Sequence, residues 1–290
     1  MLSPVLCKIP SRAYRSLHAI AIALLLVIAA PAQSPTELKP GFNLFTKQQD
    51  IQLGKEAAAE VRKKSTIVND PVLTAYVNEV GKRLAASREA KESGFPFTFE
   101  VVADPAINAF ALPGGPMFIN TGLLKAVDNE AQLAGVMGHE MSHVILRHGT
   151  NQASKANLIQ IPLALAGQLT DSDTLMGELT QLGIGLGADS VLLKFSRTDE
   201  SQADLMGSHL MAEGEYDPVQ MARFFKKLNS TSAGALEFLA DHPNPENRSR
   251  AIREEAARLP HQGYGYQTGE FQKMKQAATA IHEPPKPKQD

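Results

Sequence analysis

The sequence predicts a mainly helical α+β fold in which a small sheet lies beside one long helix. Three observations carry that expectation. Apolar residues recur at helical spacing over most of the chain, the stretch 97–119 alternates apolar and polar residues instead, and helical periodicity resumes unbroken over 129–149. With 290 residues, 43% of them apolar and 21% charged, the chain can bury one sizeable core.

At the N-terminus, Lys8, Arg12 and Arg15 precede an uncharged apolar run over 19–30, and Ala30-Pro31-Ala32 follows. This is the pattern of a secretory signal peptide cut after Ala32, so residues 1–32 are expected to be a leader and the protein periplasmic or secreted. The run spans about twelve residues, whereas a membrane-crossing helix needs about twenty. Cys7 is the one cysteine and lies upstream of that run, so neither a disulfide nor a lipidated cysteine is expected. Removing the leader takes three cations and no acid, which moves the formal charge from −2 to −5. An acidic chain whose basic run is limited to Arg62-Lys63-Lys64 is not expected to bind nucleic acid.

Residues 33–43 are rich in Pro, Ser, Thr and Gly and read as a linker, with an ordered domain over 44–260. Ile51, Leu53, Ala57, Ala58 and Val61 share a helical face over 46–64, and Asp70-Pro71 opens a second helix that runs to about Ser87. Phe97, Phe99 and Val101 alternate with Thr98 and Glu100 as a half-buried strand. Residues 108–112 and 116–119 form a strand pair around the turn Pro113-Gly114-Gly115. Asn129-Glu130-Ala131-Gln132 offers a capping box for the long helix, with Gly149 as its stop. Residues 152–193 read as helices, because Gln160, Gln168, Asp171, Asp173 and Glu178 interrupt every window long enough to span a membrane. Helices over 198–213, from Asp217-Pro218 onward and over 246–259 complete the domain. Residues 261–290, Gly-Tyr and Pro-Lys rich with one weak helix, are expected to be a peripheral or disordered tail.

His139-Glu140-Met141-Ser142-His143 places two imidazoles four residues apart on the long helix, about 40° apart around its axis, so both can reach one ion. A glutamate beside the first ligand can take a proton from a metal-activated water, and this is the zincin signature. A catalytic zinc ion also needs a third protein ligand. Glu200 is a candidate, with Asp204 one turn along to orient a ligand imidazole, but on spacing Asp199 and other acids compete with it. His148 lies about 180° around the same helix from His139 and is expected to point away and serve the helix end. His242, in a loop before Pro243, could stabilise an oxyanion or occupy the open metal position, and Arg248 could polarise a carbonyl or form an ion pair on its helix. His209, His261 and His282 are expected at the surface.

The chain resembles the gluzincin metallopeptidases, the family of the CAAX prenyl endopeptidase, the HtpX heat-shock protease and BepA-type periplasmic proteases. The resemblance covers about 44–259. Its matching pieces are Asn108-Ala-Phe-Ala-Leu-Pro-Gly-Gly115 with Thr121-Gly-Leu-Leu124, Gly138-His-Glu-Met-Ser-His-Val144 with Arg147-His148, Ser196-Arg-Thr-Asp-Glu200 with Ala203-Asp204, and Asp241-His-Pro243 with Arg248. It implies a zincin-like fold and zinc-dependent endopeptidase activity with one zinc ion per chain. His139, His143 and Glu200 would be ligands, Asp204 would orient His139, and Glu140 would act as general base. It also implies that the strand carrying Asn108, Ala109, Phe110 and Ala111, or its neighbour, is the edge strand on which an extended peptide docks. Expected substrates are unfolded or misfolded envelope proteins, with outer-membrane assembly components as partners. The alternative is a periplasmic chaperone or assembly factor with a latent protease site. A membrane-embedded prenyl-peptide protease is disfavoured by the missing span, leaving at most peripheral membrane association.

Overall fold

The computed structural model describes residues 34–160, 195–230, 238, 240, 242, 247–260 and 263–283. The expected leader, most of the helices expected over 152–193, and His261 lie outside them.

Helix α1, Lys47–Lys64, starts at a capping box in which Thr46 Oγ1 accepts from the Gln49 amide and the Gln49 side chain returns to the Thr46 amide. Helix α2, Pro71–Ala85, is opened by Asp70, whose carboxylate accepts from the amides of Val72 and Leu73. A short helix α3, Arg88–Ser93, follows. Strands β1 (Thr98–Val102), β2 (Ala109–Ala111) and β3 (Pro116–Asn120) then form one sheet in the order β1-β3-β2. β3 is central and buried along its whole length, parallel to β1 and antiparallel to β2, with Phe110 opposite Phe118. The expected pair is thus a hairpin with β2 at the sheet edge, and among the described residues no strand pairs with its outer side. Gly114 and Gly115 both carry positive φ in its turn, and a Cβ on Gly114 would stand 2.4 Å from the Ile51 Cα of α1. Only glycine admits both that conformation and that approach.

Helix α4, Thr121–Ala126, leads to the long helix α5, Glu130–Ile145. The Asn129 side chain caps α5 by accepting from the Gln132 amide, while the Gln132 side chain turns to the Asp128 amide rather than closing the expected box. α5 also stops earlier than expected. Arg147 takes φ +57, and a new helix α6, His148–Gln160, begins at once, so Gly149 lies inside a helix rather than ending one. The remaining helices are α7 (Arg197–Glu213), α8 (Val219–Ser230), α9 (Arg248–Ala256) and α10 (Phe271–Ala280).

α5 packs against α7, α8 and β2, α2 covers β1, and α9 lies against α7 and α8. The apolar faces of α2, α5, α7, α8 and the sheet share one core that includes Leu73, Val80, Ile119, Leu133, Leu210 and Phe224, all without solvent exposure. Each such side chain stabilises the fold by about 1.5–3 kcal/mol. Among the described residues no helix is long and apolar enough to cross a membrane.

Two peripheral segments are more firmly held than their composition suggests. In the expected linker, the Thr36 amide and hydroxyl donate to the buried Glu255 at 2.6 and 2.7 Å, and Asn43 donates to Thr150. Beyond the expected domain end, Thr268 donates through its amide and its hydroxyl to the buried carboxylate of Glu130, which also receives Tyr76 and Tyr216. That anchor seats α10 against α2 and α4, burying Met274 and Ala278. Composition registers the polar ends of these segments but not the distant buried carboxylates that receive them.

Candidate metal centre

The crossing of α5 over α7 sets this site. A Cβ on Gly207 would stand 3.1 Å from the His139 backbone nitrogen, and one on Gly138 would stand 3.3 Å from the Gly207 carbonyl oxygen. With no side chain between them the two backbones approach closely. Glu200 and Asp204, one turn apart on α7, both come to face His139.

His139 Nε2 and His143 Nε2 stand 3.1 Å apart. The Glu200 carboxylate reaches both, Oε2 at 3.3 Å from His139 and Oε1 at 3.4 Å from His143. His242 closes the group, with Nδ1 3.1 Å from Glu200 Oε1 and 3.3 Å from His139 Nε2, and its other nitrogen 3.4 Å from Glu140 Oε1. One donor atom from each of His139, His143, Glu200 and His242 falls within 4.8 Å of the others, and all four residues are buried. Burying such groups without a shared counter-charge is costly, and imidazole nitrogens with a carboxylate oxygen are the donors that zinc takes. The residues therefore fit a metal ion.

Behind His139, Asp204 Oδ1 lies 3.0 Å from its Nδ1 and also accepts from Arg248 Nε at 3.0 Å and Nη2 at 2.8 Å. Arg248 lies against the Phe225 ring and 3.4 Å from Glu200. The ion pair expected for Arg248 within its own helix is not the one seen: its partners, Asp204 and Glu200, lie on α7. Burial works against a charged His139, but the carboxylates of Glu200 and Asp204 override it and raise its pKa to about 9. His143 moves the other way. Burial depresses it well below the ordinary histidine value, with Glu200 opposing and the neighbouring His139 and His148 adding to the depression. Burial would raise the Glu200 carboxyl, but His242, His139 and His143 hold it well below the usual range.

Asp199, the competing acid, is engaged elsewhere. It accepts from the Ser196 amide and hydroxyl in the capping box of α7 and from Gln152. Of the four candidate peptide-docking residues, Ala109 and Ala111 face the core beside α5. Phe110 turns to the opposite side and stacks on Phe118. Ala111 shares a narrow crevice with His143, Pro113 and Phe195. Asn108 is buried, its carbonyl accepting from the Asn120 amide.

Two histidines depart from expectation. His148, expected to point away, sits beyond the reversal at Arg147, and its Nδ1 lies 3.0 Å from His143 Nδ1 while its Nε2 lies 3.1 Å from Gln202 Oε1. Burial lowers its pKa despite Asp199 and Gln202. His209, expected at the surface, is buried against Glu255 at 2.7 Å and Glu89 at 3.6 Å. Phe195, stacked on His143 at 3.7 Å, belongs to the site as well. It stands directly before the Ser-Arg-Thr-Asp-Glu motif, and no periodicity marks it.

Residues 71–256 match the profile of peptidase family M48. The chain is 32% identical over 219 residues to the beta-barrel assembly-enhancing protease of Escherichia coli K12, covering 73% of this chain and 44% of that protein. It is 32% identical over 213 residues to the mitochondrial metalloendopeptidase OMA1 of Schizosaccharomyces pombe, 72% of this chain and 60% of that one. To the metalloprotease LoiP of Escherichia coli K12 it is 31% identical over 211 residues, 70% and 78% of the two chains. The chain spans about half the length of the beta-barrel assembly-enhancing proteases it matches.

Proposed function

The chain belongs to peptidase family M48, and on that basis we propose that it is a zinc-dependent endopeptidase with His139, His143 and Glu200 as metal ligands. The observation that carries this reading is the convergence of two Nε2 atoms and one distant carboxylate beside Glu140. Zinc held there would lower the pKa of a coordinated water towards neutrality and polarise the scissile carbonyl. Glu140 accepts a proton from the attacking water and returns it to the leaving amine. Asp204 holds His139 with its proton on Nδ1, and Arg248 balances the charge of Asp204. β2 supports docking of an extended peptide, since an edge strand pairs through its backbone and tolerates many sequences. That tolerance suits unfolded or misfolded envelope proteins as substrates. The leader-like residues 1–32 support export, and the names of the assembly-enhancing relatives support partners in outer-membrane assembly.

His242 favours a second reading. Its contacts to Glu200 and His139 support an imidazole that would occupy the open metal position, as in a chaperone or assembly factor with a latent protease site. Turnover of casein by the full chain, with and without chelator, separates the two. The enzyme reading expects chelator-sensitive cleavage, and expects Glu140→Gln to keep zinc while losing about 10²–10⁴-fold in rate. Undiminished cleavage by Glu140→Gln contradicts it, and one bound zinc with no cleavage supports the latent site.

A further inference from the structure

We propose that His148 is a positioning residue for the metal site: it accepts a hydrogen bond from His143 Nδ1 and so holds His143 in the tautomer whose Nε2 faces Glu200 and His139. The inference rests on the reading of His139, His143 and Glu200 as zinc ligands.

The two Nδ1 atoms are 3.0 Å apart, so one must donate and the other accept. The choice follows from the far ends of the two rings. His143 Nε2 points at His139 Nε2 and Glu200 Oε1, and a metal-binding nitrogen must offer its lone pair, which leaves the His143 proton on Nδ1. His148 then accepts at Nδ1 and carries its own proton on Nε2, which faces Gln202 Oε1 at 3.1 Å. An amide oxygen can only accept, so the chain of donors is satisfied from Gln202 through to the ligand nitrogen. The reversed order fails at both ends. It would set His148 Nε2 and Gln202 Oε1 as two facing acceptors and aim a proton from His143 into the ligand cluster.

Local backbone brings this ring back. Arg147 adopts φ +57 between α5 and α6, and its guanidinium is held by Asp50 of α1 at 2.6 Å and by the Phe45 carbonyl. Without that reversal α5 would continue, and His148 would lie across the helix from His139. His139 has Asp204 in the same capacity, so each ligand imidazole has its own acceptor at Nδ1, one a carboxylate and one a neutral ring.

The test is zinc affinity of the full chain, with zinc ion alone as probe and a chromophoric chelator as competitor. His148→Phe, which removes the acceptor, is expected to weaken zinc binding by about 10–100-fold. His148→Asn, whose Oδ1 stands where Nδ1 stood, is expected to recover most of that loss, with equal urea midpoints for both variants in chelator. Unchanged affinity in His148→Phe, or a loss that His148→Asn shares in full, overturns the role. If His148→Phe does not fold, Gln202→Leu and nitrogen-15 spectra of the zinc-loaded natural chain decide. A weakened Gln202→Leu and an Nε2–H tautomer at His148 support the role, and an Nδ1–H tautomer overturns it. Failure of the natural chain to take up zinc overturns the ligand reading together with this one. Normal uptake by both the natural chain and His148→Phe overturns the role of His148 alone.

Discussion

Asp204→Ala removes the group on which His139 and Arg248 both depend. Its Oδ1 meets His139 Nδ1 at 3.0 Å, Arg248 Nε at 3.0 Å and Arg248 Nη2 at 2.8 Å, and the Arg248 and Asp204 side chains are 3% and 1% exposed. Breaking one side of a buried ion pair costs about 3–5 kcal/mol, because the surviving charge stays desolvated. Arg248 would keep Glu200 at 3.4 Å and the Phe225 ring, which favours the lower end of that range. A loss of about 3 kcal/mol lowers Tm by roughly 6–12 °C for a domain of this size. Asp204→Ala with Arg248→Met, which removes both charges, should regain at least half of the loss, since an apolar replacement of a whole buried pair is close to neutral. Zinc affinity should behave differently, falling about 10–100-fold in the single variant and staying low in the double, where His139 still lacks its acceptor. Urea unfolding in chelator and zinc competition measure the two quantities. A single variant that loses less than about 1 kcal/mol, the worth of an exposed pair, would refute the reasoning. So would a double variant no more stable than the single.

Stability should also depend on pH through His209, whose folded pKa is raised because Glu89 and Glu255 outweigh its burial. Its contribution is complete below the unfolded value of about 6.5 and is lost as pH rises through the folded one, so urea midpoints from pH 6 to 9 should fall and His209→Gln should flatten that slope. Glu89, held at about 2 chiefly by its bond to His209, gives the opposite limb, with stability present above its unfolded pKa and lost as pH falls towards 2. Thr268→Val removes the 2.6 Å hydroxyl bond to Glu130 and should cost about 1.5–3 kcal/mol by urea unfolding, whereas a detached C-terminal segment would show no change.

What the sequence made legible was local. Asp70-Pro71 and the His-Glu-Met-Ser-His run each carry their geometry within one helical turn, so the α2 start and the paired imidazoles could be read directly. Glu200 could not be separated from Asp199 by spacing, because both are acids at the start of α7. What separates them is that Asp199 folds back onto Ser196 as a cap, and the family resemblance pointed to Glu200 where periodicity did not. His148 was misplaced because a single left-handed residue, Arg147, breaks the helix without a glycine to announce it. The burial of His209 is hidden for another reason: its partner, Glu255, is far away in sequence, and a pairing set by tertiary packing leaves no periodic trace, as with the Thr268 bond to Glu130.

The proposed chemistry needs one cation held by two imidazoles and Glu200. Zinc K-edge absorption on the full chain, paired with elemental analysis, tests this most directly. It should find one zinc per chain with nitrogen and oxygen neighbours at about 2.0–2.1 Å and an imidazole signature that Glu200→Ala weakens. A chain that holds no zinc, or a zinc environment unchanged by Glu200→Ala, would contradict it.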